Sequence, residues 1–155
     1  MLLATVVACP AAAVSAERGI AGPVAADVIK VRDGDTVEVD AHIWPQQTVR
    51  VAVRLRGIDA PELRAHCPSE KTAALAAKTR LAALLAPGGV TLTNISGDKY
   101  FGRVLAEISA AGGADIGRIL LHEGLVVSYG GKARRNWCKG LSLLPMAGSE
   151  DGRPG

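Results

Sequence analysis

The chain has 155 residues, which can bury one adequate hydrophobic core and leave little room for a second, so a single domain is expected. Hydrophobic residues make up 48% of the chain but aromatic residues only 3%, which argues against a single-strand binder that stacks bases on aromatic rings. The formal net charge of +3 permits contact with polyanions but excludes the dense basic stripe of a dedicated DNA-binding domain.

The first sixteen residues carry no charge and end in small residues at Ala16, a pattern typical of an export signal. Cleavage is expected after Ala16, and Ala26 ends a second usable site. This interpretation predicts a periplasmic or secreted protein. Alternatively, the Val-Val-Ala-Cys sequence that ends at Cys9 resembles a bacterial lipobox and would make Cys9 a lipidated N-terminus. No apolar run reaches the roughly 18 residues that a membrane span requires.

The first half of the chain favours three strands. Residues 24–31 and 36–39 are rich in β-branched side chains and are separated by turn-forming residues. Residues 48–55 alternate apolar and polar or small side chains, which places Arg54 opposite the core-facing valines. The intervening residues 42–47 contain a proline and predict an irregular hairpin connection.

The second half favours two helices and two further strands. The spacing of apolar residues predicts a helix over 69–85, followed by strands over 90–95 and 104–108. Asp115 is expected to cap a second helix that Gly124 ends. The fold class is therefore mainly β with helices (α+β), and a helix after the third of five strands is the order of an OB-fold barrel with two or more packed helices.

Three regions are expected along the chain. Residues 1–26 form the export signal or leader, and residues 27–140 form the barrel domain. Residues 141–155 contain glycine, proline, serine and charged residues without periodicity, so we predict a flexible tail.

Two cysteines, Cys67 and Cys138, remain after removal of the leader. An even pair in an oxidising compartment predicts a disulfide. It would close a loop of about 70 residues, for which the chain-entropy model gives on the order of 4 kcal/mol. Two independent buried thiols are the alternative.

Three short motifs place charged side chains on predicted strand ends and loops: Asp-Gly-Asp-Thr at 33–36, Arg-Leu-Arg-Gly-Ile-Asp-Ala-Pro-Glu at 54–62, and Asp-Lys-Tyr-Phe-Gly-Arg at 98–103. Hard divalent cations bind clustered oxygen ligands, and a guanidinium can donate two parallel hydrogen bonds to a phosphate. The combination predicts metal-assisted cleavage of a phosphodiester bond.

In the order of these motifs the chain resembles the staphylococcal nuclease-like (thermonuclease) family over residues 28–129. The resemblance implies that Asp35 and Asp59 bind one calcium ion through their carboxylates and that Ala60 binds it through its backbone carbonyl. The family pattern has a threonine where this chain has Ala60, but a carbonyl ligand does not depend on its side chain. Glu62 is implied to be the general base that deprotonates or orients the attacking water.

Arg54 and Arg103 match the two arginines that hold the phosphate in this family. Phe101 adds one residue to the family pattern, so either Tyr100 or Phe101 can occupy the position of the tyrosine near the phosphate; Tyr100 is ranked first. Tyr129 matches a second tyrosine that stacks on a base, and packing at a helix exit is the alternative. A further set of basic residues could extend a phosphate track or only solvate the surface: Arg56, Arg64, Lys132, Arg134 and Arg135.

The resemblance thus implies an exported, calcium-dependent nuclease that cleaves DNA and RNA with little sequence specificity and leaves 3′-phosphate ends. Its substrate would be DNA and RNA, preferably single-stranded or unpaired, and we expect a monomer without a stable protein partner. One alternative is a non-catalytic OB-fold module that binds nucleic acid or protein. The other is a metal-dependent hydrolase of smaller phosphodiesters.

Overall fold

Five strands close into a barrel in the computed structural model, which describes residues 19–140. The barrel order is β1-β2-β3-β6-β5, with β3 and β6 parallel and the other neighbours antiparallel. In chain order the elements are β1 (Val24–Val31), β2 (Thr36–Trp44), β3 (Gln47–Leu55), β4 (Ile58–Asp59), α1 (Pro68–Leu85), β5 (Gly89–Gly97), β6 (Arg103–Ala110), α2 (Ile116–His122), β7 (Val127–Ser128) and α3 (Trp137–Gly140). The predicted fold class is confirmed.

The connection between β2 and β3 differs from the expectation. The predicted hairpin is present and its pairing is irregular between His42 and Trp44, but β2 continues to Trp44 and pairs with Gln47 across a two-residue turn, so the connecting segment is shorter than 42–47. Gln46 occupies this turn with a φ of 62°, while Pro45 precedes it with the φ that its ring fixes. The result is a long hairpin, with one end at the barrel mouth near Asp35 and the other in solvent.

The core is filled by aliphatic side chains, as the low aromatic content requires. Inward-facing residues of the strands meet the apolar sides of α1 and α2, and the largest fully buried side chains include Leu55, Ile58, Leu81, Leu92, Ile108, Ile116 and Leu120. Helix α2 packs against β6 and α1, and α1 also contacts β1 and α3. None of the helices in residues 19–140 is long and apolar enough to cross a membrane.

Two short strands that the sequence pattern did not predict bring distant segments together. Strand β4 follows β3 and pairs with β7, so that Asp59 lies opposite Val127. The amide of Tyr129 also donates to the carbonyl of Gly57 at 2.8 Å. The chain after α2 is thereby fixed beside the loop that carries Asp59.

Gly34 allows a close approach at the same end of the barrel. A Cβ atom at this position would lie 2.8 Å from the Cβ of Ala77 and 2.9 Å from that of Ala60. Both distances are shorter than van der Waals contact, so any larger residue would push α1 or the Ala60 segment away. The glycine of the first motif therefore fixes the distance between Asp35 and the second motif.

The two cysteines that follow the leader are paired. The sulfur atoms of Cys67, just before α1, and Cys138, in α3, lie at disulfide distance, with 6.0 Å between their Cα atoms. Most of the predicted leader, including Cys9 and Ala16, and the predicted tail over 141–155 lie outside the described residues. The boundaries of the three regions stay a prediction. Ala26 itself is a buried residue of β1, so cleavage there would remove part of the barrel.

Candidate active site

A buried cluster of two carboxylates and one guanidinium lies at the mouth of the barrel. Arg54, near the end of β3, donates to Asp35 Oδ1 at 2.8 Å and to Asp59 Oδ1 at 3.4 Å. The side chains of Asp35 and Asp59 expose only 4% and 0% of their surface, and that of Arg54 exposes 17%. The alternation along β3 predicts that Arg54 lies on the face opposite the core-facing valines. At the barrel mouth, Arg54 on this face contacts Asp35 and Asp59 and is largely shielded from water.

The backbone turn before β2 positions Asp35. The amide of Asp35 donates to Asp33 Oδ1 at 3.1 Å, so Asp33 serves as a turn-forming residue. The amide of Leu55 donates to the carbonyl of Asp35 at 2.8 Å, and the amide of Ala60 donates to Asp35 Oδ2 at 3.2 Å. Asp35 thus holds the first and second motifs together.

Burial and the neighbouring guanidinium have opposite effects on the pKa of Asp35. Burial raises the pKa of Asp35 to about 6, although the Arg54 guanidinium acts in the opposite direction. Desolvation of this carboxylate therefore outweighs the stabilisation that Arg54 gives to its charged form. Two carboxylates and the Ala60 carbonyl are hard oxygen donors, the ligand type that calcium prefers.

The oxygen cluster contains two carboxylates and not three. Within residues 19–140, the one group of three His, Cys, Asp or Glu side chains with ligand atoms within 4.8 Å of one another is Cys67, Glu70 and Cys138. Its two sulfur atoms are bonded to each other, so it does not offer free thiolates. Neither Asp33 nor Glu62 therefore joins Asp35 and Asp59 as a third close carboxylate.

Glu62 lies at the rim of the cluster. Half of its side chain is exposed, and its carboxylate accepts a hydrogen bond from Arg134. Its backbone amide donates at 3.2 Å to Glu70 Oε1, a buried carboxylate in the first turn of α1. Sequence reasoning missed Glu70, although an acidic residue in the first turn of a helix is a recognisable signal. Glu70 fixes the backbone of the loop that presents Glu62.

Arg103 begins β6 and is held from two sides. Its Nε donates to Asp98 Oδ2, and its guanidinium lies over the ring of Tyr100 at 4.6 Å from the centroid. Phe101 is fully exposed, and the turn is completed by Gly102 with a φ of 79°. The extra residue of the third motif therefore bulges into solvent, and Tyr100 is the aromatic residue beside Arg103.

A groove of about 760 Å³ lies beside the cluster. Asp35, Asp59 and Ala60 do not line it, whereas seven of the candidate residues from the sequence do: Arg54, Arg56, Glu62, Tyr100, Arg103, Tyr129 and Arg134. Tyr129 is anchored there by its hydroxyl, which donates to the carbonyl of Lys132 at 2.8 Å. The charged side chains in the wall of the groove can contact an extended, charged chain.

Arg134 contacts the cluster more closely than the sequence indicated. Its guanidinium donates to Asp59 Oδ1 at 2.8 Å, to the carbonyl of Ala60 at 2.9 Å and to Glu62 Oε1. Desolvation lowers the pKa of Arg134, but its bonds to Glu62 and Asp59 raise it by more. Trp137 completes the cluster, since its indole Nε1 donates to Asp59 Oδ2 at 3.3 Å.

Arg56 is not free to contact a phosphate. Its guanidinium donates to the carbonyl of Asn94 at 2.9 and 3.1 Å and to Ser96 Oγ at 2.6 Å. Asn94 has a φ of 50° at an irregularity in the pairing of β5 with β6. Arg56 therefore stabilises the barrel wall, whereas the other basic candidates, Arg64, Lys132 and Arg135, are exposed.

Residues 52–140 match a protein-family model described as staphylococcal nuclease homologue. The matched span contains Arg54, Asp59, Glu62 and Arg103 and begins after Asp35. A search of curated proteins finds no match. The family match covers more than half of the chain and agrees with the closed five-stranded barrel, so the chain belongs to the staphylococcal nuclease-like family.

Proposed function

We propose that the protein is an exported, calcium-dependent nuclease that hydrolyses phosphodiester bonds of DNA and RNA with little sequence specificity and leaves 3′-phosphate ends. The observation that carries this proposal is the convergence of Asp35, Arg54 and Asp59 at one mouth of the barrel. Glu62 and Arg103 border the same groove. Membership of the nuclease family supports the reaction class.

Calcium would be held by the carboxylates of Asp35 and Asp59 and by the carbonyl of Ala60. Their burial, their oxygen chemistry and the raised pKa of Asp35 support this assignment. A bound divalent ion supplies charge to the phosphate oxygens and lowers the pKa of coordinated water. Two carboxylates and one carbonyl leave room for water and substrate around an ion that takes six to eight oxygen ligands.

Arg54 and Arg103 would bind the phosphate. Arg54 is oriented by Asp35 and Asp59, and Arg103 by Asp98 and the Tyr100 ring, so both guanidinium groups are fixed before the substrate arrives. Each can donate two parallel hydrogen bonds to a phosphate edge, which lysine cannot. Groups that are oriented in advance stabilise developing charge without reorganisation.

Glu62 would accept a proton from the attacking water or orient that water. Its half-exposed position at the groove gives it access to solvent, while the bond from its amide to Glu70 fixes its loop. Protonation of the departing 5′-oxygen then completes the cleavage and leaves the phosphate on the 3′ side. A carboxylate in hydrogen-bond reach of the water is the geometry that general base catalysis requires.

The groove supports a polynucleotide substrate. Its walls contain the basic side chains Arg54, Lys99, Arg103 and Arg134 together with the rings of Tyr100 and Tyr129. We assign Tyr100 to the phosphate and Tyr129 to a base. Contacts to phosphates without a base-reading helix give weak sequence selectivity, and a ring that stacks on a base favours an unpaired nucleotide over a duplex.

Export is supported by the pairing of Cys67 with Cys138, because disulfides persist in oxidising compartments. A periplasmic or secreted location also agrees with the uncharged first sixteen residues. If Cys9 is lipidated, the exported protein would be anchored to a membrane by its N-terminus, and the proposed reaction would be the same.

Cleavage of heat-denatured DNA tests the proposal. The purified protein is incubated with calcium, with magnesium or with a chelator, beside the variants Arg103→Ala and Arg118→Ala. Arg118 is an exposed arginine of α2 that pairs only with Asp115 among the described residues, so it controls for loss of a positive charge. We expect calcium-dependent cleavage that Arg103→Ala abolishes and Arg118→Ala retains, with products that a polymerase extends only after phosphatase treatment.

Two outcomes would contradict the proposal. Binding of the DNA without cleavage in every metal would identify a non-catalytic OB-fold module. Turnover of a chromogenic phosphodiester without degradation of DNA would identify a hydrolase of small substrates.

A further inference from the structure

Arg134 lies between the residues assigned to calcium and the residue assigned as base, yet the hydrolysis proposed above gives it no part in the chemical step. Its three hydrogen bonds go to Asp59 Oδ1, the Ala60 carbonyl and Glu62 Oε1. The first two acceptors are oxygen atoms that the proposed function assigns to the cation. A single side chain therefore covers most of the predicted ligand set.

All four carboxylate oxygens of Asp35 and Asp59 accept hydrogen bonds from within the protein. Asp35 accepts from Arg54, Thr36 and the Ala60 amide, and Asp59 accepts from Arg54, Arg134 and Trp137. A cation bound to these oxygens would face a guanidinium across a shared ligand. The positive charges of a cation and a guanidinium that share one carboxylate repel strongly where water is scarce. Displacement of one arginine would therefore favour cation binding.

The surroundings of the two arginines indicate which one leaves. Arg54 lies on β3, bridges both aspartates and has a side chain that is 17% exposed. Arg134 lies in the irregular segment before α3, and its side chain is 40% exposed. Moving Arg134 requires no break in the barrel, whereas moving Arg54 would unpair Asp35 as well as Asp59.

We propose that Arg134 is an internal counter-ion that occupies the cation's oxygen ligands in the free protein and that calcium displaces into the substrate groove. The inference rests on the proposed function and deepens it by assigning a regulatory role at the same site. In the free protein Arg134 offsets the charge of the buried Asp59 and occupies Oε1 of the Glu62 carboxylate. Cation binding frees both the carboxylate of Glu62 and the guanidinium of Arg134.

The released guanidinium has an acceptor within reach, because Arg134 already lines the groove with Arg54 and Arg103. A phosphate in that groove would replace the carboxylates as its partner. Cation and substrate therefore bind with positive coupling, since each removes an obstacle to the other. Cation binding makes the base available, and the phosphate then holds the released guanidinium away from it, which restricts hydrolysis to the loaded site.

Calorimetric titration with calcium alone, without nucleic acid, tests the inference. The variant Arg134→Gln removes the competing charge, so its calcium Kd should be roughly tenfold lower than that of the wild-type protein. Arg118→Gln makes the same change of net charge at the exposed α2 site and should leave the Kd unchanged. Calcium should also raise the Tm of Arg134→Gln by more than that of the wild-type protein, because Asp59 has lost its counter-ion.

Arg134→Lys covers the case in which the Gln variant does not fold without calcium. Lysine keeps the charge but cannot donate to Asp59 and Ala60 together in a fixed fork, so the calcium Kd should fall by about threefold. Calcium-dependent cleavage by the wild-type protein together with an unchanged or higher calcium Kd in the folded Arg134 variants overturns the inference and leaves the nuclease proposal intact. Absence of both calcium binding and cleavage in all four proteins overturns both.

Discussion

Two arginines of β3, Arg50 and Arg54, form the same local pair in different surroundings. Arg50 donates through two nitrogens to Asp40, its partner across the hairpin, and Arg54 donates to Asp35, which precedes its own cross-strand partner. The side chain of Arg50 is 59% exposed, against 17% for Arg54. One pair lies toward the solvent end of the hairpin and the other at the barrel mouth.

The charge state of the aspartates reflects this difference. The hydrogen bond from Arg50 lowers the pKa of Asp40. Burial raises the pKa of Asp35 to about 6, although the charge of Arg54 acts to lower it. An exposed pair is satisfied by water and contributes little, while a buried pair has a desolvation cost that further charge can offset. Identical local chemistry therefore becomes a candidate binding site only where other segments exclude water from it.

Replacement of each arginine by alanine tests this comparison most directly. We expect Arg54→Ala to reduce kcat/KM on denatured DNA by about a thousandfold, because it removes a guanidinium that the proposed function places on the phosphate. Arg50→Ala, four residues away on the same face of the strand, should change kcat/KM by less than about twofold. Initial rates at saturating calcium provide the measurement.

Arg54→Lys separates charge from geometry in this pair. A lysine ammonium keeps the charge between Asp35 and Asp59 but cannot donate two parallel hydrogen bonds, so the variant should fold and remain nearly inactive. Equal activity of the Arg50 and Arg54 variants would contradict the assignment of Arg54. The circular dichroism of each variant establishes that loss of activity is not loss of fold.

Most of the barrel could be predicted because its signals are local. The strands over 24–31 and 48–55 and the helix over 69–85 agree with the structure to within one residue at each end. Their alternation or helical spacing depends only on which face is buried. The hairpin at 42–47 was predicted, but not how far β2 extends into it, because a strand that continues into solvent has no buried face to produce an alternation.

The candidate site could be predicted only in part, because its contacts join distant residues. Asp35, Arg54 and Asp59 come from motifs close in sequence, whereas Arg134 reaches Asp59 across 75 residues. Nothing in the composition of 130–139 distinguishes Arg134 from the exposed Arg135 beside it. Strands of two residues, such as β4 and β7, fix that approach and are too short to leave a periodic pattern.

The two tryptophans extend the comparison from activity to stability. Trp137 is buried at the barrel mouth and donates to Asp59, whereas Trp44 is 71% exposed at the solvent end of the hairpin. Trp137→Ala should lower the free energy of unfolding by about 3 kcal/mol, because the buried ring is lost and Asp59 Oδ2 loses its hydrogen-bond donor. Trp44→Ala should change it by no more than about 0.5 kcal/mol.

Urea unfolding of both variants, followed by far-ultraviolet circular dichroism, measures the difference between the tryptophans. A loss of stability in Trp44→Ala as large as that in Trp137→Ala would mean that the hairpin tip is covered in solution. The slope of the transition must match that of the wild-type protein, since a changed slope would indicate an altered unfolded state.

The neighbours Tyr100 and Phe101 give the smallest expected effect. Their comparison is nevertheless sharp, because both are aromatic and only Tyr100 lines the groove. The Tyr100 ring lies under the Arg103 guanidinium, while Phe101 projects fully into solvent. Tyr100→Ala removes a cation–π contact of order 1 kcal/mol that orients Arg103, so kcat/KM should fall by about fivefold. Phe101→Ala should have no effect on kcat/KM at the same calcium concentration.

Deletion of Phe101 restores the spacing of the family pattern and should also leave the activity unchanged, because the extra residue only lengthens an exposed turn. A loss of activity on deleting Phe101 that exceeds the loss in Tyr100→Ala would instead assign the phosphate-side position to Phe101 and would contradict the placement of Tyr100 beside Arg103.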